Sequence, residues 1–126
     1  MDHHWETMEI VRDLFADLGR LRIRKMFGCT GVYANEEMFA LVDADRIYLK
    51  TDEALRVSLE AEGGTAFHWT NGKTGQTIRM SYVSLPEATL GNHARTTDLG
   101  RKALAAARQA RQSRVKTNPR GRLGPS

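Results

Sequence analysis

The sequence predicts an α+β domain: an antiparallel sheet in one layer and helices in the other. Three patterns predict it. Apolar residues at helical spacing occupy both ends of the 126-residue chain. Period-two alternation fills the stretches between them. The strand-like stretches come in runs joined by short polar links such as Asn35-Glu36 and Ala44-Asp45, which favour hairpins over parallel crossovers. The predicted order is α-β(3)-α-β(2)-α. Strand and helix do not alternate as a doubly wound nucleotide-binding sheet requires, and no internal repeat is visible.

Each element has its own signal. Met8, Val11, Leu14, Phe15 and Leu18 form one face of a helix over 6–18, and Gly19 is placed to end it. Leu21 and Ile23 then alternate with Arg20, Arg22 and Arg24, a strand with an apolar face and an arginine face. In 26–33, Gly28 and Gly31 bracket Cys29-Thr30, the mark of a bulge, a bend or close backbone approach. Strands follow over 37–43 and 46–50. Asp52 is a helix N-cap, after which Leu55, Leu59, Ala54 and Val57 supply a buried stripe that Gly63-Gly64 terminates. Phe67-His68-Trp69 and Thr77–Leu85 form a hairpin around Asn71–Gly75. Pro86 breaks the strand and starts a short helical turn. The closing helix is expected from about Thr97, capped by Thr97 or Asp98, to Gln112. Its apolar side (Leu99, Ala103, Leu104, Ala107) is mostly small, which predicts close packing.

Composition sets bounds on function. At 40% hydrophobic and 27% charged residues the chain has the make-up of a soluble single domain, and no apolar run reaches the roughly 20 residues of a membrane span. The N-terminus lacks the basic start and apolar stretch of a secretory signal, and one cysteine leaves no internal disulfide, so a cytoplasmic setting is expected. The net charge of +4 is unevenly spread. Residues 1–107 hold 13 basic and 15 acidic side chains, whereas Arg108, Arg111, Arg114, Lys116, Arg120 and Arg122 follow with no acid among them. The division expected is therefore a domain over 1–112 and a basic, disordered tail over 113–126.

The candidate sites are few. Arg114, Lys116, Arg120 and Arg122 offer an arm for polyanions, and Arg20, Arg22 and Arg24 offer a cationic strand face; both suit sequence-independent nucleic-acid contact. The arginine face is more simply explained structurally, by pairing with acids of a neighbouring strand or by lying over a helix with the side-chain stems buried. Cys29 has cationic sequence neighbours in Arg24 and Lys25 but no histidine close by, so it reads as structural. His68 reads as a surface or satisfied core residue, and His93 as a loop residue without a ligand companion. The Gly72-Lys73-Thr74-Gly75 stretch lacks phosphate-loop spacing. Phe27, Tyr33, Phe39, Tyr48, Phe67, Trp69 and Tyr82 are expected mostly in a single core. No catalytic, cofactor-binding or metal-binding set emerges.

Arg24-Lys25-Met26-Phe27-Gly28, Gly31-Val32-Tyr33, Met38-Phe39-Ala40-Leu41, Arg46–Lys50, Met80-Ser81-Tyr82, Leu85-Pro86 and Ala103–Arg108 keep their order over about 8–110. In this the chain resembles the N-terminal domain of the TfoX/Sxy family, bacterial regulators linked to natural competence. Cys29 stands where the family commonly has a second glycine. The resemblance implies a secretion-chaperone-like α-β(3)-α-β(2)-α fold standing alone, without the family's C-terminal domain. It also implies a non-enzymatic regulatory or adaptor module working through protein–protein contacts. The expected partner is a protein, a second copy of the chain included; nucleic-acid contact through the tail and the Arg20/Arg22/Arg24 face is the alternative. No membrane partner is expected.

Overall fold

Six short segments of the chain, several of them ending on a positive-φ turn, build one six-stranded antiparallel sheet. In the computed structural model, which describes residues 3–26 and 28–117 with side chains from Glu6 to Ser113, the elements run α1 (His3–Leu14), β1 (Leu21–Met26), β2 (Cys29–Ala34), β3 (Glu37–Asp43), β4 (Arg46–Lys50), α2 (Glu53–Ala61), β5 (Ala66–Thr70), β6 (Thr77–Ser84) and α3 (His93–Thr117). Single 3-10 turns at Ala16–Leu18 and Glu87–Thr89 follow α1 and β6. The sheet order is β1-β2-β3-β4-β6-β5, with every neighbouring pair antiparallel.

The predicted α+β architecture holds, with four strands rather than three before α2. The stretch around Gly28 is a hairpin turn and not a bulge within one strand. Gly28 takes φ +82°, a left-handed conformation that glycine adopts without strain, and β2 returns alongside β1 with Met26 opposite Cys29. The next two hairpins close on Asn35-Glu36 and Ala44-Asp45, each pair with positive φ at both central positions, as a type I′ turn requires.

All three helices lie on one side of the sheet. Val11, Leu14, Phe15 and Leu18 meet Val32, Ala34, Phe39, Ala40 and Val42, while Leu55, Leu59, Leu99, Ala103 and Leu104 complete the same cluster against Ile47, Leu49, Val83 and Leu85. Phe15 stands edge-on to Phe39 at 5.2 Å. A register shift between Val32 and Tyr33 lets the consecutive residues Phe39 and Ala40 both reach this core. The small side of α3 does what its composition predicts: a Cβ built at Gly100 would fall 2.8 Å from the Phe15 ring, so the helix backbone lies directly on that residue.

Two helix expectations need correction. Asp52 caps α2, its carboxylate accepting from Leu55 N–H at 2.8 Å, but Val57 and Ala54 are exposed and only Leu55 and Leu59 are buried. Positions 54 and 57 point away because this short helix touches the sheet along one narrow line. The closing helix begins at His93 rather than Thr97. Its cap is Asn92, whose side-chain oxygen accepts from Arg95 N–H at 3.0 Å. It also continues to Thr117, beyond Gln112.

Candidate interaction face

The side of the sheet turned away from the helices carries the residues of interest. Strand alternation places Arg22, Arg24 and Met26 of β1 there, beside their cross-strand partners Tyr33, Gly31 and Cys29 of β2. Met38 and Leu41 of β3, Tyr48 of β4, Phe67 and Trp69 of β5 and Tyr82 of β6 continue the face into a second hydrophobic cluster that contains no helical residue. Tyr48 and Phe67 pack edge-on at 5.1 Å. Leu41, Phe67 and Tyr82 are buried by their neighbours alone, whereas Met38, Tyr48, Trp69 and Cys29 remain half-buried. Ile78, paired with Trp69, and Met80, two residues on toward Tyr82, are 43% and 36% exposed.

This distribution overturns the expectation of a single aromatic core. Phe39 enters the helix-side core, but Tyr33, Tyr48, Phe67, Trp69 and Tyr82 lie on the opposite face; Phe27 falls outside the described residues. The reason is geometric. A strand places alternate residues on opposite faces, so a sheet with apolar residues at both parities has two apolar sides.

Cations border the face. Arg22 lies 4.5 Å above the ring of its cross-strand partner Tyr33, and its guanidinium donates at 3.2 Å to Glu36, an acid of the β2–β3 turn rather than of the neighbouring strand. Arg20 and Arg24 are exposed, and neither makes an ion pair among the described residues. Lys50 sits 5.3 Å from the Tyr82 ring. There the face ends in a cleft of about 300 Å³ between Tyr33, Met38 and Tyr82 on one side and Ala107, Ala110 and Arg111 of α3 on the other. Arg111 closes it with a forked pair of bonds to the buried Glu37 carboxylate, Nε at 2.9 Å and Nη2 at 2.7 Å from Oε2. Those hydrogen bonds hold the Arg111 pKa above its ordinary value. Nothing in local sequence joins these two residues, which are 74 positions apart.

The remaining candidates separate. Arg114 and Lys116 belong to the last turns of α3, remote in sequence from Arg20, Arg22 and Arg24, and Arg120 and Arg122 lie outside the described residues. Burial, and then the nearby Asp43 carboxylate, push the Cys29 thiol above its ordinary pKa, which opposes formation of a reactive thiolate. His68 is exposed opposite Arg79, while His93 opens α3 with its Nε2 3.2 Å from Asp17. The Gly72–Gly75 stretch is an exposed hairpin loop organised by Asn71, whose side chain accepts from Lys73 and Thr74 N–H. A second cleft, of about 580 Å³, lies beside the β3–β4 turn; its Asp45 accepts from Thr7 and its Glu62 pairs with Arg95. Among the described residues no group of His, Cys, Asp or Glu is arranged to hold a metal ion, and no helix is long and apolar enough to cross a membrane.

A single sheet with all its helices on one side and a self-packed aromatic face on the other defines a two-layer α+β domain. The model of the TfoX N-terminal domain matches residues 13–107, and the chain belongs to that family. No curated protein matches it closely enough to lend it an activity.

Proposed function

We propose that this domain is a non-enzymatic regulatory adaptor that binds a protein partner through the open face of its sheet, within cytoplasmic, competence-type transcriptional regulation. One observation carries the reading. The face is apolar and aromatic from Met38 to Trp69, and no helical residue among those described belongs to its cluster. Helix α3 reaches only its edge at the Arg111 cleft, and Ile78 and Met80 reach solvent at its margin. An apolar centre with a rim of Arg22, Arg24 and Lys50 has the composition of a protein-binding patch, in which aromatic anchors are desolvated and charges stay at the edge. Membership of the family supports a regulatory role.

The test is a photo-crosslinking amino acid placed at Met80 on the open face or at Val57, which is the more exposed of the two and lies on the helical side. Partner adducts from Met80 and none from Val57 are expected in cells. Adducts only from Val57, or the same set from both, would defeat the assignment of the face. A second copy of the chain as the Met80 adduct would identify the partner as the domain itself.

A further inference from the structure

Helix α3 has an outer face that neither the core nor the open sheet face uses. Its inner side is fixed by Leu99, Ala103, Leu104 and Ala107, all buried. Arg101, Lys102, Ala105, Arg108, Gln109 and Gln112 are exposed on the other side. Arg101 and Arg108 are seven residues apart, two turns and about 10 Å along one helical face. Neither makes an ion pair among the described residues, and Lys102 has only the exposed Asp98, at 3.2 Å. From Arg101 to Ser126 the sequence holds eight basic residues and no acidic one, while residues 1–100 hold 11 basic and 15 acidic. The helix is thus a positive ridge on a negative body. Compensation of the helix dipole does not account for it, because Arg101 and Lys102 precede the last turn by about four turns.

From this ridge we infer that the outer face of α3 binds the phosphate backbone of double-stranded nucleic acid, without reading sequence. The chemistry of the face selects among polyanions. A protein interface needs an apolar centre, and the exposed positions here offer only Ala105 and Gln side chains between the cations. An anionic membrane is held by a helix that also buries an apolar face in lipid, but the apolar side of α3 is already spent on the sheet. Single strands are held by stacking on aromatic rings, and the exposed positions of this outer face carry none. What remains is a straight, rigid row of arginine and lysine, suited to the regular phosphates of a duplex.

The experiment is fluorescence anisotropy with the full chain and a short labelled DNA duplex, between 50 and 200 mM salt. Comparison ligands are the corresponding single strand, phosphatidylserine vesicles and polyglutamate. Three phosphate contacts account for an about 40-fold loss of affinity over that salt range. The R101Q/K102Q/R108Q variant should therefore bind the duplex more weakly at 50 mM and show a salt-induced loss smaller by about 40-fold. A second variant, R114Q/K116Q/R120Q/R122Q, should keep the part of the salt dependence that belongs to the helix. The three helix side chains are exposed, so circular dichroism and the melting midpoint of the first variant should match the parent. An unchanged affinity and salt slope in that variant overturns the inference. So does tighter binding to the single strand, the vesicles or polyglutamate than to the duplex.

Discussion

Adding one methyl group at Gly64 should cost this domain about 2–3 kcal/mol. Gly64 is the point at which α2 hands the chain to β5, the strand that carries Phe67 and Trp69 onto the open face. Its N–H donates to Leu59 C=O at 2.8 Å, ending the helix tightly against the sheet. A Cβ there would lie 2.6 Å from the Ser84 carbonyl oxygen, 2.9 Å from Val83 Cγ1 and 3.0 Å from the Leu59 carbonyl oxygen. Two of the three obstacles are backbone, and Ser84 is itself tied to Thr65 by bonds in both directions, so no flexible side chain can swing away. Overpacking of a rigid site costs about 1–3 kcal/mol, and this geometry belongs at the upper end. For a domain of this size that is a fall of about 8–12 °C in the melting midpoint. Thermal or urea unfolding of Gly64→Ala measures it, with Gly72→Ala as the control. Nothing lies within 4 Å of a Cβ at Gly72, so that variant should stay within about 0.5 kcal/mol of the parent. If the two variants were equally stable, the close crossing of α2 over β6 would be wrong.

Other expectations follow from single contacts. Ala44 holds φ +50° at a hairpin turn, so Ala44→Asn should raise stability by about 0.5–1 kcal/mol in the same melts, and a loss would contradict the turn geometry. Arg111→Met should lower the melting midpoint, because it removes the forked bonds to the buried Glu37 carboxylate. The fall should be smaller than breaking a fully buried pair would bring, since half of Arg111 faces water. A double-mutant cycle with Glu37→Gln isolates the coupling, and a coupling of zero would contradict the pairing. Cys29, with its pKa raised by burial and by Asp43, should label with a thiol reagent more slowly than a free thiol at neutral pH. Only well into alkaline pH should it catch up, whereas faster labelling would reverse the sign of that shift.

Much of the architecture was legible in the residues because its signals are local. The Asp52 cap and the alternation of Arg22 and Arg24 with Leu21 and Ile23 each act within a few residues, and each is found in the structure. So is the positive φ of Gly19 at the end of the first helical segment. The extra strand was not legible, since Gly28 and Gly31 look alike in sequence. Only the first turns the chain with a positive φ; the second lies beneath the flexible Met38 side chain, whose Sδ a Cβ would meet at 2.9 Å. The early start of α3 was hidden by its polar first turn, where Thr96 is buried through tertiary packing rather than by hydrophobicity. Of the site, the arginine rim was visible and the aromatic face was not. Assigning Tyr48 or Trp69 to a side requires strand register across the whole sheet, and the bond between Arg111 and Glu37 requires the folded chain.

The proposed seat of a protein partner is the open face of the sheet. With the partner trapped at Met80 in hand, its affinity for the full-length chain can be measured by calorimetry against the Ile78→Glu, Met80→Glu double variant. Both side chains are exposed, so the fold should survive the change. Placing two carboxylates at the margin of an apolar patch should weaken binding by about 2 kcal/mol or more, at least tenfold. Equal affinity of the two proteins would show that the partner binds elsewhere.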